Sequence, residues 1–262
     1  MPVTPLPASH PLDRSLLQQL EAARAELQEL TYTVSHDLRA PLRHIAAYSQ
    51  VIAEDWPDMP TDVAAHLNTI RQSAQLLTQQ LDGLAQLSRL GQTTLNLQAQ
   101  DVNKMAQGVA DELMQRLPHA VQWHWAGDVP HVLADAQQLR QVLVHLLGNA
   151  IKFSRNRHTA QITLTWRVDD HVSGPVGATV CAPPMCHVSI HDNGVGFAAL
   201  QATALFKVFG RLHPVRDFEG LGLGLVTCRK IIERMGGIIG MEGAPDNGCC
   251  VTFGLPLAQG NR

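Results

Sequence analysis

At 262 residues, with 45% hydrophobic and 16% charged side chains, the chain is long enough for two domains and too apolar for a disordered segment. Its net charge of −3 offers no general basis for binding nucleic acid or an anionic membrane. The longest apolar stretch, around residues 142–151, is broken by His145 and Asn149 and is too short to cross a bilayer, so no membrane span is predicted.

Residues 1–11 carry four prolines and lack both the basic start and the apolar core of a signal peptide. They are expected as a flexible leader to a cytoplasmic protein. From Leu16 an apolar seam runs through Leu20, Ala23, Leu27, Leu30 and Val34 in alternating steps of four and three, the heptad pattern of a coiled coil. It resumes at Leu38, Leu42, Ile45 and Ile52. The successive steps of four from Leu30 to Leu42 form a stutter, which locally unwinds a supercoil. That phase break falls on Ser35-His36-Asp37-Leu38-Arg39-Ala40-Pro41-Leu42. Residues 55–60 read as a turn with Thr61 as a helix cap. A second seam then follows through Val63, Leu67, Ile70, Ala74, Leu77, Leu81 and Leu84. One hairpin cannot bury both stripes, so the pattern predicts an all-α domain over 12–91 that pairs as a homodimeric four-helix bundle.

After Gly91 the periodicity changes. A linker and first strand are expected over 92–101, a mixed α/β domain over 102–258 and a short tail over 259–262. The predicted strands are 95–99, 121–125, 161–168, 187–191, 238–242 and 250–255; the predicted helices are 102–117, 135–153 and 222–235. This arrangement is an α+β sandwich, a sheet covered by helices on one face. Residues 169–186 form an unusually long Gly- and Pro-rich loop. The five cysteines (Cys181, Cys186, Cys228, Cys249 and Cys250) are odd in number and scattered, which fits free thiols in a reducing compartment. Cys181-x4-Cys186-His187 has poor zinc spacing and no second ligand pair, so it reads as thiols at the end of that loop rather than a metal clip.

His36 lies 200° around its helix from both Val34 and Leu38, which turns it away from the seam into solvent. An exposed imidazole can accept a bulky group. Asp37 can bond one ring nitrogen, fix the tautomer and take up its proton as the other nitrogen attacks. Pro41 removes one backbone donor and clashes with the carbonyl of Asp37, which is expected to bend the helix beside this site.

In the helix expected at 135–153, Leu139, Val142, Leu143, Leu146, Leu147 and Ala150 form the core face. His145, Asn149 and Lys152 fall together on the other. An amide oxygen at Asn149 suits a hard cation such as Mg²⁺, and Lys152 can neutralise phosphate. Asp192 follows a strand and can accept an adenine amino group, with Gly194 and Gly196 letting the backbone approach the base. Gly220, Gly222 and Gly224 enter a helix whose free N–H groups and dipole suit phosphate. A dinucleotide-binding reading fails there, because no βαβ unit or ribose-binding acid follows.

The four motifs Ser35–Leu42, Asn149-Ala150-Ile151-Lys152, Asp192-Asn193-Gly194-Val195-Gly196 and Gly220–Gly224, in this order, resemble the transmitter region of bacterial sensor histidine kinases. The resemblance covers residues 12–257. The wording Phe-Gly-Arg-Leu-His-Pro at 209–214, with Tyr-Thr-Val-Ser-His-Asp-Leu-Arg-Ala-Pro-Leu at 32–42, is closest to transmitters attached to phytochrome-type or related cytoplasmic sensors. The likeness implies a nucleotide domain of the fold shared by gyrase, heat-shock chaperones and histidine kinases. It also implies that His36 is phosphorylated from ATP with Mg²⁺ on Asn149, and that the phosphoryl group passes to the receiver domain of a response regulator. His145 and Lys152 would line the nucleotide site, and residues 205–214 would form its lid, with Phe206 and Phe209 as anchors and Arg211 reaching toward the γ-phosphate. Three positions depart from the family. Ala40 stands where Thr or Asn often orients a water for dephosphorylation, His145 where Asn is usual, and Leu221 where Ser or Thr is common. Two other readings compete: a degenerate, non-catalytic dimeric nucleotide-binding scaffold, and a gyrase- or chaperone-type ATP module. The hairpin carrying His36 argues against the latter.

Overall fold

The computed structural model describes residues 11–115, 121–169, 183–214 and 217–258. The chain divides into one compact unit ending at Arg89 and another beginning at Leu90.

The first unit is a hairpin of two long helices, α1 (Pro11–Asp55) and α2 (Thr61–Arg89). Proline is tolerated where it opens α1, since the first turn of a helix has no acceptor for its N–H; the helix also runs unbroken through Pro41. The expected leader otherwise lies outside the described residues. Two cross-helix bonds set the antiparallel register: Arg39 Nε donates to Asp82 Oδ1 at 2.8 Å, and Arg71 Nη1 donates to Gln50 Oε1 at 2.7 Å.

The most deeply buried residues where the two helices meet are small. Ser35 is only 1% exposed, and Ser49, Ala74, Ala85 and Leu87 are also buried. The serines can be buried because each hydroxyl donates to its own helix, Ser35 Oγ to the Thr31 carbonyl and Ser49 Oγ to the Ile45 carbonyl, both at 2.7 Å. The seam residues Leu20, Leu27, Leu30, Val34, Leu38, Ile45, Ile52, Ile70 and Leu77 stand 44–63% exposed on the single chain. The hairpin alone therefore leaves its largest apolar side chains in water.

The second unit is built on a five-stranded sheet in the order β2-β4-β5-β7-β6, all antiparallel except β2 with β4. The strands are β2 (Val121–Trp125), β4 (Ala160–Asp169), β5 (Met185–Asp192), β6 (Ile238–Gly243) and β7 (Cys249–Pro256). A two-stranded antiparallel ribbon joins β1 (Leu97–Gln100) to β3 (Val132–Asp135). The sequence reading misses β3, whose four residues are too few for a periodic signal. Helices α3 (Val102–Met114), α4 (Ala136–Ser154) and α6 (Gly224–Arg234) complete the unit, with the single-turn α5 (Ala202–Leu205) in the segment before α6.

Alternation along the strands sorts the two faces of the sheet. Ile162, Leu164, Cys186, Val188, Ile190, Phe253 and Leu255 are buried in one core with Leu139, Val142, Leu143 and Leu147 of α4 and Cys228, Ile231 and Ile232 of α6. Thr165, Ser189, His191 and Thr252 occupy the other face. Cys186 and His187 thus point to opposite faces and cannot clip one metal; Cys186 is a core thiol in a strand, not a loop thiol. Cys181 lies outside the described residues.

Helix ends follow their capping residues. Asp101 accepts from the Lys104 amide at 2.9 Å, and Asp135 accepts from the Gln138 amide at 3.0 Å, so α4 begins one residue later than expected. Helix α6 begins at Gly224, not 222, because Gly222 has φ +71 and Gly220 φ +133. Neither conformation belongs to a right-handed helix.

Candidate functional site

On α1 the burial of Ser35 against α2 fixes the rotation of the helix, and His36, the next residue, is carried 100° away into solvent. Its side chain is 65% exposed, and Nδ1 lies 3.1 Å from Asp37 Oδ1. Engaging Nδ1 leaves Nε2 as the outward nitrogen. Ala40, one turn further on, is exposed.

In the second unit, Asp192 ends β5 and accepts from the Gly194 amide at 2.8 Å. Burial pushes its pKa up to about 6, against the opposing pull of the Gly194 and Cys249 amides. The turn that follows is glycine-dependent. A β-carbon on Gly194 would lie 2.6 Å from the Phe153 carbonyl oxygen, and one on Gly196, at φ +61, would lie 1.9 Å from that of Ala244. Val195 donates its amide to Phe153 at 3.2 Å, which docks the turn on the end of α4. Arg157 clamps it by donating to the carbonyls of Asn193 at 2.8 Å, Gly194 at 2.9 Å and Asp246 at 2.7 Å. Sequence reasoning missed Arg157, because its partners are backbone oxygens that carry no residue signature.

Along α4, His145, Asn149 and Lys152 share the partly exposed face. The His145 ring sits 3.5 Å from where a β-carbon on Gly224 would lie, so the bare glycine lets the start of α6 meet the imidazole. Burial, then the Lys152 charge, lowers the His145 pKa and keeps the ring neutral. Burial also lowers the Lys152 pKa, as do Arg211 and Arg155, while Glu219 opposes them. Lys152 Nζ donates to the Glu219 carbonyl at 3.1 Å and stands 4.4 Å from the centre of the Phe153 ring.

Two more cations converge on the same segment. Arg211 donates to the carbonyls of Phe218 and Gly220, and Arg155 to the Asp217 carbonyl and, at 2.7 Å, to Glu219 Oε2. The structure thus brings Lys152, Arg211, Gly220 and Gly222 together, and adds Arg155, which the sequence reading did not single out.

The aromatic anchors differ from expectation in one respect. Phe206 is buried, with Arg229 Nη2 donating to its carbonyl at 2.8 Å. Phe209 is instead 37% exposed and held at φ +60, so it is not a buried anchor here. Phe218 takes that place, only 4% exposed, with its ring 5.0 Å from Phe153 and 5.4 Å from His213. Nothing periodic surrounds Phe218 in the sequence to mark it.

Around the end of α4, the Asp192 turn and the segment before α6, a half-buried carboxylate and three cations, Lys152, Arg155 and Arg211, form a donor set that suits a purine nucleotide. Among the described residues, no group of three or more His, Cys, Asp or Glu could hold a metal ion. A hard cation here would rely on the Asn149 amide oxygen and on phosphate oxygens, a donor set that suits Mg²⁺.

Residues 26–93 match the His Kinase A (phospho-acceptor) domain. Residues 134–259 match the histidine kinase-, DNA gyrase B- and HSP90-like ATPase family. The chain is 30% identical to cyanobacterial phytochrome B of Nostoc sp. (strain PCC 7120 / SAG 25.82 / UTEX 2576), over 90% of this chain and 30% of that protein. It is also 30% identical to the methanogenesis regulatory histidine kinase FilI of Methanothrix harundinacea (strain 6Ac), over 91% of this chain and 25% of that protein. The chain is a sensor histidine kinase transmitter region.

The transmitter spans less than a third of the length of either curated relative. Its fold is shared by full-length ShkA, crystallised with AMPPNP, at a TM-score of 0.57 and 24% identity over 89% of this chain and 47% of that one. His36 falls within the phospho-acceptor match, and the Asn149, Asp192 and Gly224 motifs fall within the ATPase match. The transmitter's second unit is accordingly an ATP-binding domain. No helix among the described residues is long and apolar enough to cross a membrane.

Proposed function

We propose that this transmitter is the catalytic core of a two-component system: a homodimeric protein histidine kinase that phosphorylates His36 from ATP and passes the phosphoryl group to an aspartate in a response-regulator receiver domain. The observation that carries the reading is the 3.1 Å contact between His36 Nδ1 and Asp37 Oδ1 on a solvent-exposed helix face. It leaves Nε2 free to attack.

In the proposed step, Nε2 forms a bond to the γ-phosphorus while the bond from that phosphorus to the β,γ-bridging oxygen breaks. ADP leaves with the electron pair, and the Nδ1 proton passes to Asp37. Asp192 accepts the adenine amino group beside Gly194 and Gly196. Lys152, Arg211 and the amides around Gly220, Gly222 and Gly224 hold the phosphates, and neutral His145 lines the same wall. Asn149 would hold a Mg²⁺ ion together with the phosphates, and that ion would neutralise charge on the triphosphate. The exposed seam of the hairpin supports pairing with a second copy, which would bury Leu27, Leu30, Leu38 and Leu77.

Incubation with γ-labelled ATP and Mg²⁺ tests the reading. The expected product carries acid-labile, base-stable label that disappears in His36→Gln while ATP binding persists. Label retained in His36→Gln refutes the acceptor assignment. No label on the unaltered chain would favour the non-catalytic scaffold, to which the departures at Ala40, His145 and Leu221 point.

A further inference from the structure

The Tyr32 and His36 rings lie with their centroids 6.3 Å apart and their planes 25° from parallel, an offset-stacked arrangement. We infer that Tyr32 is a positioning residue for the His36 nucleophile: its ring backs the imidazole, stabilises the positive charge that builds there during phosphoryl transfer, and directs approach to the open side at Ala40. The inference deepens the kinase reading and rests on it.

Helix geometry explains why the contact forms. Residue 32 precedes residue 36 by one turn and lies about 40° from it around the axis. Each Cα–Cβ bond tilts toward the helix N-terminus, so the His36 side chain leans over the turn that carries Tyr32 and away from the turn that carries Ala40. Tyr32 is 55% exposed, so burial in the hairpin does not account for where its ring lies. Asp37 Oδ1 meets Nδ1 at 3.1 Å. The tyrosine therefore limits how the imidazole swings, and the carboxylate limits how it spins.

The stack also has a charge consequence. As Nε2 takes the γ-phosphoryl group and ADP departs, the ring gains positive character until its Nδ1 proton passes to Asp37. The face of an aromatic ring attracts a cation, more strongly than it attracts the neutral imidazole of the ground state. A contact that strengthens only as the reaction proceeds raises kcat rather than lowering KM. On the opposite side Ala40 contributes one methyl group, which leaves room for ATP in one step and for a receiver aspartate in the next.

The test compares the full chain with Tyr32→Phe and Tyr32→Leu. Both substitutions lie on an exposed helix position, and leucine is a strong helix former. Initial rates of autophosphorylation against ATP concentration should give kcat lower by roughly two- to fivefold for Tyr32→Leu, with KM for ATP unchanged. Tyr32→Phe, which keeps the ring, should stay near the unaltered rate. Ring-current shifts give a readout that does not depend on catalysis: the His36 carbon-bound ring protons should resonate upfield in the unaltered chain and in Tyr32→Phe, and lose that shift in Tyr32→Leu. If the His36 resonances do not move in Tyr32→Leu, the stack is absent and the inference is wrong. If they move but kcat does not, the positioning role is wrong. A Tyr32→Phe rate as low as that of Tyr32→Leu would assign the effect to the hydroxyl and overturn the stacking argument. If the unaltered chain takes no label, the kinase reading fails by itself, and the resonances still decide the contact.

Discussion

Lys152 Nζ donates to the main-chain carbonyl of Glu219 at 3.1 Å, while the Glu219 carboxylate receives Arg155 Nη1 at 2.7 Å. One residue thereby holds two cations, one of which, Lys152, belongs to the proposed phosphate site. Residues 217–220 thus engage Lys152, Arg155 and Arg211, and in the proposed site the phosphates of ATP would compete with them.

Glu219→Gln should weaken that hold. The ion pair is largely solvent-exposed, with Glu219 at 70%, so its contribution belongs to the range of about 0–1 kcal/mol for surface pairs. The expected outcome is an affinity for ATP higher by up to roughly fivefold, with little change for adenosine, which has no phosphate to compete. Calorimetric titration with both ligands checks it. An equal gain for adenosine would place the effect outside the phosphate end.

Asp192 gives a pH dependence with a defined sign. Burial raises its pKa from 3.8 to about 6 in the folded protein, so the folded state holds this proton more tightly than the unfolded chain does. Its contribution to apo stability is therefore largest at low pH and is lost as pH rises from about 4 through about 6. With Asp192 in its proposed role, nucleotide binding is expected to run the other way, because the ionised carboxylate is a better acceptor for the adenine amino group than the protonated one. Adenosine affinity should fall as pH drops through about 6. Asp192→Asn should flatten that profile, weaken binding at neutral pH and raise the apo melting temperature there. An unchanged pH profile in Asp192→Asn would remove this residue from base recognition.

Paired copies should be sensitive to charge in the seam. Leu77 is 48% exposed on the single chain, and Leu81 lies one turn away on α2. Aspartates at both positions would be buried without partners in a four-helix bundle, at a cost of several kcal/mol, yet would sit in water on a lone hairpin. Sedimentation should show the double variant as a monomer with its helix content retained. An unchanged dimer would mean that the copies pair elsewhere.

The methyl group of Ala40 cannot orient a water for attack on an aspartyl phosphate. Net output is expected to favour phosphorylation, with weak phosphatase activity. Ala40→Thr should speed decay of the phosphorylated regulator, measured with ADP present, while leaving autophosphorylation roughly unchanged. Equally fast decay with Ala40 would show that another group positions the water.

Periodicity was enough for the long helices and most strands, because which side of a helix or strand faces a core is a local property; the four-residue β3 was too short to show one. The heptad seam announced α1 and α2, the spacing of Val34, His36 and Leu38 put the imidazole in solvent, and the apolar face of α4 left His145, Asn149 and Lys152 on the other. Glycine motifs marked the turns at Gly194 and Gly196, since only backbone without a β-carbon fits against Phe153 and Ala244 there. What tertiary structure decided was the partnering. Ser35 and Ser49 lie buried in the hairpin while Leu27, Leu30, Leu38 and Leu77 stay exposed, because the serine hydroxyls are satisfied within α1 and their small volume lets the helices approach. Phe218 rather than Phe209 is buried, because the chain at Phe209 turns through φ +60 and leaves its ring half in water. Arg157, Arg155 and Lys152 bind main-chain oxygens distant in sequence, and Arg211 binds two within its own loop; a carbonyl has no identity that a sequence can spell, and only the folded chain says which one each cation meets.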